Sequence, residues 1–239
     1  MNLQELITNY TPSRAAAQLV QEARVVLLVG ISGAGKDTIK KQLLQQGGFH
    51  DIVSHTTRAP RYNNGILETP DVDYHFISTD TATEMLQSQQ FIEAKFVHGT
   101  VYGTSMAELE TAYRAGEIAI TDIDVQGVDE YKQLSTGVVA IFILPPTFTE
   151  WRKRLRQRYA TEEEFIAEWP KRRDSAIKEL RHALELPYYH FVINDDLAMA
   201  VEATGKIARK PDIYTRKDDE ARLAARDLLE SIEQHIQQG

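Results

Sequence analysis

The sequence predicts an α/β fold in which a parallel sheet, flanked by helices, opens on a phosphate-binding loop. Three observations carry that expectation. An apolar run, Val25-Val26-Leu27-Leu28-Val29, leads into Gly30-Ile31-Ser32-Gly33-Ala34-Gly35-Lys36-Asp37-Thr38, the G-x-x-x-x-G-K frame of a P-loop between strand and helix. Later runs at 117–123 (EIAITDI) and 137–144 (GVVAIFIL) are apolar enough for strands covered on both faces. Segments of helical period separate these runs. Such alternation builds a parallel sheet with its ligands at the carboxyl ends of the strands.

The elements follow in order. Residues 1–22 predict an amphipathic helix, with Leu3, Leu6, Ile7, Ala16, Leu19 and Val20 at helical spacing and Pro12 splitting it. A strand at 24–30 precedes the P-loop and a helix that runs to about Gln46, where Gly47-Gly48 stops it. A strand near 51–55 leads to a loop over 56–72, marked by Pro60, Asn63-Asn64-Gly65 and Pro70. Strands at 73–77 and 91–97 surround a helix at 80–89, and a helix at 105–115 ends near Gly116. Pro145-Pro146 closes the strand at 137–144. Helices follow at about 147–159 and 162–185, the second kinked at Pro170. A strand at 189–193 and a helix from Asp195 to about Lys206 come next. The linker ARKPDIYTRK then leads to an amphipathic helix at 218–237.

Composition narrows the function. The 239 residues carry 27 Lys and Arg against 35 Asp and Glu, a net charge of -8, so the chain as a whole has no bulk affinity for nucleic acid. Cysteine is absent, which excludes disulfide and thiolate chemistry and fits a cytoplasmic location. The N-terminus MNLQELITNY lacks the basic and apolar regions of a secretory signal, and no apolar run reaches the length of a membrane span. No His or Cys spacing matches a metal cluster, and His55 and His98 are expected to be structural.

The glycines of the P-loop let backbone N–H groups turn around an anion, the following helix points its positive end there, and Lys36 adds a full charge. Gly30, Ser32, Gly33, Ala34, Gly35, Lys36, Asp37 and Thr38 are therefore expected to hold the phosphates of a nucleoside triphosphate. Asp37 stands where Ser or Thr normally offers a hydroxyl to Mg²⁺. A carboxylate also binds Mg²⁺ directly, and Thr38 next to it carries a hydroxyl. After the second strand, SHTTRAPR sets Arg58 and Arg61 three apart, a fork for phosphate oxygens that, taken alone, reads equally well as solvated surface. Arg154 and Arg158 share a helical face, four residues apart.

In order along the chain, SHTTRAPR, DYHF, FIEAKFVHGTVYGTS, DIDVQG, IFILPP, RLRQR and VINDD resemble guanylate kinase, over roughly residues 23–205. That resemblance implies transfer of the terminal phosphoryl group of ATP to GMP or dGMP, with Mg²⁺, in purine nucleotide metabolism. It implies a five-stranded parallel core, a GMP-binding insert at 54–105 and an arginine-bearing lid at about 155–172. Residues 23–207 form the family domain, 1–22 a helical extension, and 208–239 a linker with a helix. The implied partners are the nucleotides, with neither nucleic acid nor membrane, in a monomer or homodimer. By resemblance, Ser54, Arg58, Arg61 and Tyr74 hold the acceptor's phosphate or base, and Tyr102 contacts the monophosphate. Glu93 reads the base, with Ser54 and Thr104 adding guanine contacts. Asp122 and Asp124 lie near acceptor and metal, although they also fit a capping pair at a strand end. Arg154, Arg158 and Arg172 are the lid arginines that act with Lys36 and Arg58 in catalysis, and Asn194 lies near the donor nucleoside. Chemistry supports the role of Glu93, because guanine presents a ring N–H beside an amine, two adjacent donors that one carboxylate accepts together. Adenine lacks that pair.

The chain also departs from the family pattern. Besides Asp37, the stretch RYNNGILETPDVDY is longer than the usual turn and lacks its normal Gly-Glu, and the lid is longer. The terminal helices have no clear family counterpart and are expected to cover the core or support an oligomer. Two other readings remain at this point. Ribose 1,5-bisphosphate phosphokinases carry a similar loop with Asp after the lysine. Non-catalytic guanylate-kinase-like modules keep the fold but lose the P-loop lysine or acceptor residues, all of which this chain has.

Overall fold

In the computed structural model, which describes residues 3–63, 66–97, 99–212 and 216–238, the N-terminal pattern becomes two helices, α1 (Leu3–Thr8) and α2 (Arg14–Glu22). Pro12 lies between them, and the Ser13 side chain caps α2 by accepting from the Ala16 N–H. The apolar run becomes β1 (Val25–Val29), followed by α3 (Lys36–Gln46), which ends at Gly47 with a positive φ of 79°. Then come β2 (Phe49–Asp51), β3 (His55–Thr56), the paired strands β4 (Tyr62–Asn63) and β5 (Ile66–Leu67), β6 (His75–Phe76) and α4 (Thr79–Gln87). The antiparallel strands β7 (Phe91–Val97) and β8 (Thr100–Ser105) lead into α5 (Met106–Ala115) and β9 (Ile118–Asp122). The remainder is α6 (Val125–Leu134), β10 (Val139–Leu144), α7 (Phe148–Arg156), α8 (Glu162–Glu185, with Pro170 inside), β11 (Tyr189–Ile193), α9 (Leu197–Arg209) and α10 (Arg216–Gln238).

Four segments differ from the expectation. The strand near 51–55 is two short ones, β2 and β3, separated by Ile52, Val53 and Ser54. The loop over 56–72 contains the β4–β5 pair; Asn64 and Gly65 lie outside the described residues, as does His98. Strand β8 escaped notice because Gly103 interrupts its pattern. Here glycine is a packing requirement, since a Cβ would lie 2.7 Å from the Glu93 carbonyl oxygen. Helix α6 escaped because Gly127 sits in its first turn, where Asp124 caps it by accepting from the Gly127 N–H at 2.7 Å.

The chain forms two units. One comprises Met1–Val25, Gly48–Thr121 and Asp129–Val138. It holds the mixed sheet β6-β3-β8-β7, in which β3 is parallel to β6 and antiparallel to β8, and the parallel pair β2–β9. Met85, Leu86 and Phe91 form an apolar cluster there, with Leu3, Leu6, Ile7 and Tyr10 packed on it. The other unit comprises Val26–Gly47, Asp122–Val128 and Val139–Gly239. In it β10 runs parallel to both β1 and β11, pairing Leu28 with Ile141 and Ile141 with His190. Every residue of β10 is buried, as a strand covered on both faces requires. The fold is thus α/β with parallel core strands flanked by helices, as predicted.

Helix α10 packs on α8, β11 and α7. Its Arg222 donates to the carbonyls of Leu184 (2.7 Å) and Leu186 (3.0 Å), satisfying the last turn of α8, and its guanidinium lies over Phe191. Arg222→Ala is expected to cost about 2 kcal/mol, which for a chain of this size lowers Tm by roughly 5 °C. Calorimetry checks this, and an unchanged Tm would show that α10 does not hold the end of α8.

Candidate active site

The P-loop is shaped by groups that take up its carbonyls. Gly30 has φ +141° and approaches β10 so closely that a Cβ would lie 2.3 Å from the Ile143 carbonyl oxygen. Gly35, at φ +96°, caps α3 and leaves room for the Asn194 amide, which a Cβ would meet at 2.2 Å. The buried Asn194 Nδ2 donates to the Ala34 carbonyl at 2.8 Å, and Trp151 Nε1 donates to the Ser32 carbonyl at 2.8 Å. Lys36 Nζ donates to the Gly30 carbonyl at 2.9 Å. Arg158 reaches the Ser32 hydroxyl at 3.2 Å.

A cavity of about 300 Å³ opens beside the loop, lined by Gly30, Ser32, Gly33, Gly35, Lys36, Asp37, Asp122, Ile123, Asp124, Arg158 and Glu179. Thr38 is not part of the lining. Asp122 lies 3.0 Å from Lys40. Burial works against its carboxylate, but Lys40 and then Lys36 hold its pKa below the usual range. Arg154 and Arg172 are engaged elsewhere. Arg154 donates to Glu150 at 3.0 Å and to the Asn194 carbonyl at 3.1 Å, and Arg172 donates to the Tyr159 hydroxyl at 3.0 Å.

The other unit carries the remaining expected residues. Arg58 is almost wholly buried and forms two parallel hydrogen bonds to Glu68, at 2.6 and 2.9 Å. It also donates to the Tyr102 hydroxyl (3.1 Å) and its neighbour's carbonyl (2.9 Å), with its guanidinium 5.0 Å from the centre of the Tyr74 ring. Four of its five N–H donors are thereby committed. The Arg61 N–H donates to Glu68 at 2.8 Å, while its side chain is exposed. Arg58 and Arg61 therefore do not stand as one open fork: the first is braced and the second is free to reach. The long 61–74 segment, read as lacking its glutamate, supplies one in Glu68 by folding back as β4–β5.

Glu93 and Thr104 face each other across β7 and β8, both buried, and the Thr104 hydroxyl donates to the Glu93 carboxylate at 2.9 Å. Ser54 sits before β3, and its carbonyl accepts from the His75 N–H at 2.9 Å.

Comparison with known proteins settles the lineage. The guanylate kinase family model matches residues 22–210. The chain belongs to the guanylate kinase family. A guanylate kinase from Syntrophotalea carbinolica is 41% identical over 175 residues, covering 72% of this chain and 78% of that protein. Guanylate kinase 1 of Oryza sativa is 36% identical over 197 residues, which span 81% of this chain but only half of the rice protein. A solved guanylate kinase from Anaplasma phagocytophilum matches with a TM-score of 0.59 at 25% identity, over 82% of this chain and 89% of that one. Helices α1 and α10 fall outside the family match.

Members of the guanylate kinase family transfer phosphoryl groups with a divalent metal, and the donor set here suits one. Asp37, Asp122 and Asp124 bring hard oxygen ligands to the cavity. Among the described residues no three His, Cys, Asp or Glu converge into a site that would bind an ion unaided. Among the described residues no helix is long and apolar enough to cross a membrane.

Two residues that sequence reasoning missed stand beside these. Glu179 lines the cavity from α8, two helical turns after Arg172 and so on its face, which was the available signal. Burial pushes its carboxyl up, against the Ser175 hydroxyl and Lys36. Tyr131, on α6, is 2% exposed, and burial first, with the charge of Glu93 second, pushes its hydroxyl pKa up.

His55 is the structural histidine expected. Its ring lies 4.5 Å from His75, and its Nδ1 is buried without a partner. Burial first, and the charge of His75 second, push its pKa down to about 4. Below the unfolded value of 6.5 the unfolded chain takes up a proton that the folded one refuses, so this group removes stability between pH 6.5 and 4. His55→Asn is expected to flatten the fall of Tm over that range in a pH series. An identical slope in both proteins would contradict a neutral buried His55.

Proposed function

We propose that this protein phosphorylates GMP or dGMP at the expense of ATP. The observation that carries the reading is the buried carboxylate of Glu93, held in one orientation by the Thr104 hydroxyl. A carboxylate fixed and desolvated in this way favours a base with two adjacent donors and penalises one without them. Membership of the guanylate kinase family and the P-loop cavity support the donor half.

In this reading Lys36, Arg158 and the loop amides neutralise the phosphates of ATP, and Arg61 and Tyr102 take the acceptor's phosphate. An oxygen of that phosphate attacks the terminal phosphorus of ATP. The bond to the bridging oxygen breaks, and its electron pair leaves with ADP. The acceptor is already an anion, so no general base is required. Mg²⁺, when bound, would supply charge neutralisation on the donor phosphates, and Asp37, Asp122 and Asp124 are the residues that would hold it. The lid arginines exclude water and limit hydrolysis of ATP. Such a reaction belongs to purine nucleotide metabolism, in the cytoplasm.

An acceptor panel tests the proposal. ADP is expected to form from ATP only when GMP or dGMP is present, and Glu93→Gln is expected to reduce the preference for GMP over AMP by about tenfold or more. Turnover with ribose 1,5-bisphosphate as the best acceptor, or with none, would overturn it. Asp37→Ser is expected to shift the Mg²⁺ concentration giving half-maximal rate. An unchanged Mg²⁺ titration would remove Asp37 from metal binding.

A further inference from the structure

The N-terminal helix α1 lies outside the family match, yet it packs on the strand that carries Glu93. Strand β7 does not pair regularly with β8. Phe91 faces Ser105 and Glu93 faces Thr104, so Ile92 is an extra residue at a β-bulge immediately before Glu93. A bulge disrupts the ladder locally and re-aims the side chains beside it. Here the Phe91 carbonyl accepts the Tyr10 hydroxyl at 2.6 Å. Burial pushes the Tyr10 pKa up to about 12, so the group stays a donor throughout the physiological range. Leu3, Leu6 and Ile7 pack beside Tyr10 on Met85, Leu86 and Phe91. A second tether runs the other way, from Gln89 Nε2 to the Thr11 carbonyl at 3.1 Å.

We propose that the N-terminal extension is a brace for base recognition, with Tyr10 the positioning residue that fixes the bulge and hence the aim of the Glu93 carboxylate. This rests on the reading of Glu93 as the guanine contact. Tyr10 touches no substrate in this account and acts only through the backbone of β7.

The test compares GMP with IMP, which keeps the ring N–H but lacks the exocyclic amine. A well-aimed carboxylate gains from both donors of guanine, whereas a loosened one loses the two-point contact and treats the two bases more alike. Tyr10→Phe is expected to lower kcat/KM for GMP about fivefold, through KM, with kcat and the KM for ATP within about twofold. The GMP/IMP ratio is expected to fall by a similar factor. Gln89→Ala, at an exposed tether, is expected to move the ratio in the same direction by less, and serves if Tyr10→Phe folds poorly. A merely structural role would lower Tm and reduce both substrates equally, leaving the ratio unchanged, and that result overturns the brace. If the wild-type protein turns over GMP and the ratio does not move, only the brace fails. If the wild-type protein does not use GMP at all, the functional reading fails and the brace with it.

Discussion

A loop that offers its amides to an anion has to dispose of its carbonyls elsewhere, and this constraint governs the donor unit. Each peptide group carries both a donor and an acceptor, and a buried acceptor without a partner is costly. Around the P-loop the problem is solved by three side chains from three parts of the chain. Lys36 takes the Gly30 carbonyl, Trp151 that of Ser32 and Asn194 that of Ala34. Trp151 in turn is buried against Trp169 and Phe148, with His235 of α10 beside both. The loop's shape therefore depends on an aromatic cluster that reaches to the last helix. Asn194, read from the sequence as a nucleoside contact, is first of all a support of the loop.

The unit that carries Arg58 and Glu93 solves a different problem, that of burying charge. Arg58 and Glu68 are both about nine-tenths removed from solvent, and a buried ion pair gains little net stability over apolar packing. What it gains is geometry: the bidentate pair fixes Glu68 to the Arg61 backbone and Arg58 to the Tyr102 hydroxyl, so Arg61 and Tyr102 are aimed by a group that itself has one N–H to spare. The same logic runs through Thr104 and Glu93. Thr104 can give only one proton, and it gives it to the Glu93 carboxylate. In both cases a candidate binding group is oriented by a neighbouring polar group.

The division between what was legible in the sequence and what was not follows from range. Strands β1 and β10 are wholly apolar and β9 and β11 largely so, and a run of that kind has few alternatives to a buried strand. The P-loop, the arginines and Glu93 were legible because their spacing is local. Strand β8 was not, because Gly103 is there for the sake of a carbonyl on another strand. Helix α6 was not, because Gly127 sits in its first turn, where the Asp124 cap is a contact that only the folded chain shows. The bracing of Arg58 was not legible for the same reason. Two arginines three apart look equivalent until a glutamate seven residues after the second folds back and buries one of them. Tyr10 and Glu179 each meet residues distant in sequence, the Phe91 carbonyl for Tyr10 and the P-loop cavity for Glu179. Their patterns, an aromatic beside a helix or a carboxylate on a charged face, belong equally to ordinary core and surface. Local spacing thus identifies the candidate ligand groups, whereas the groups that hold them in place become visible only once the chain has brought distant residues together.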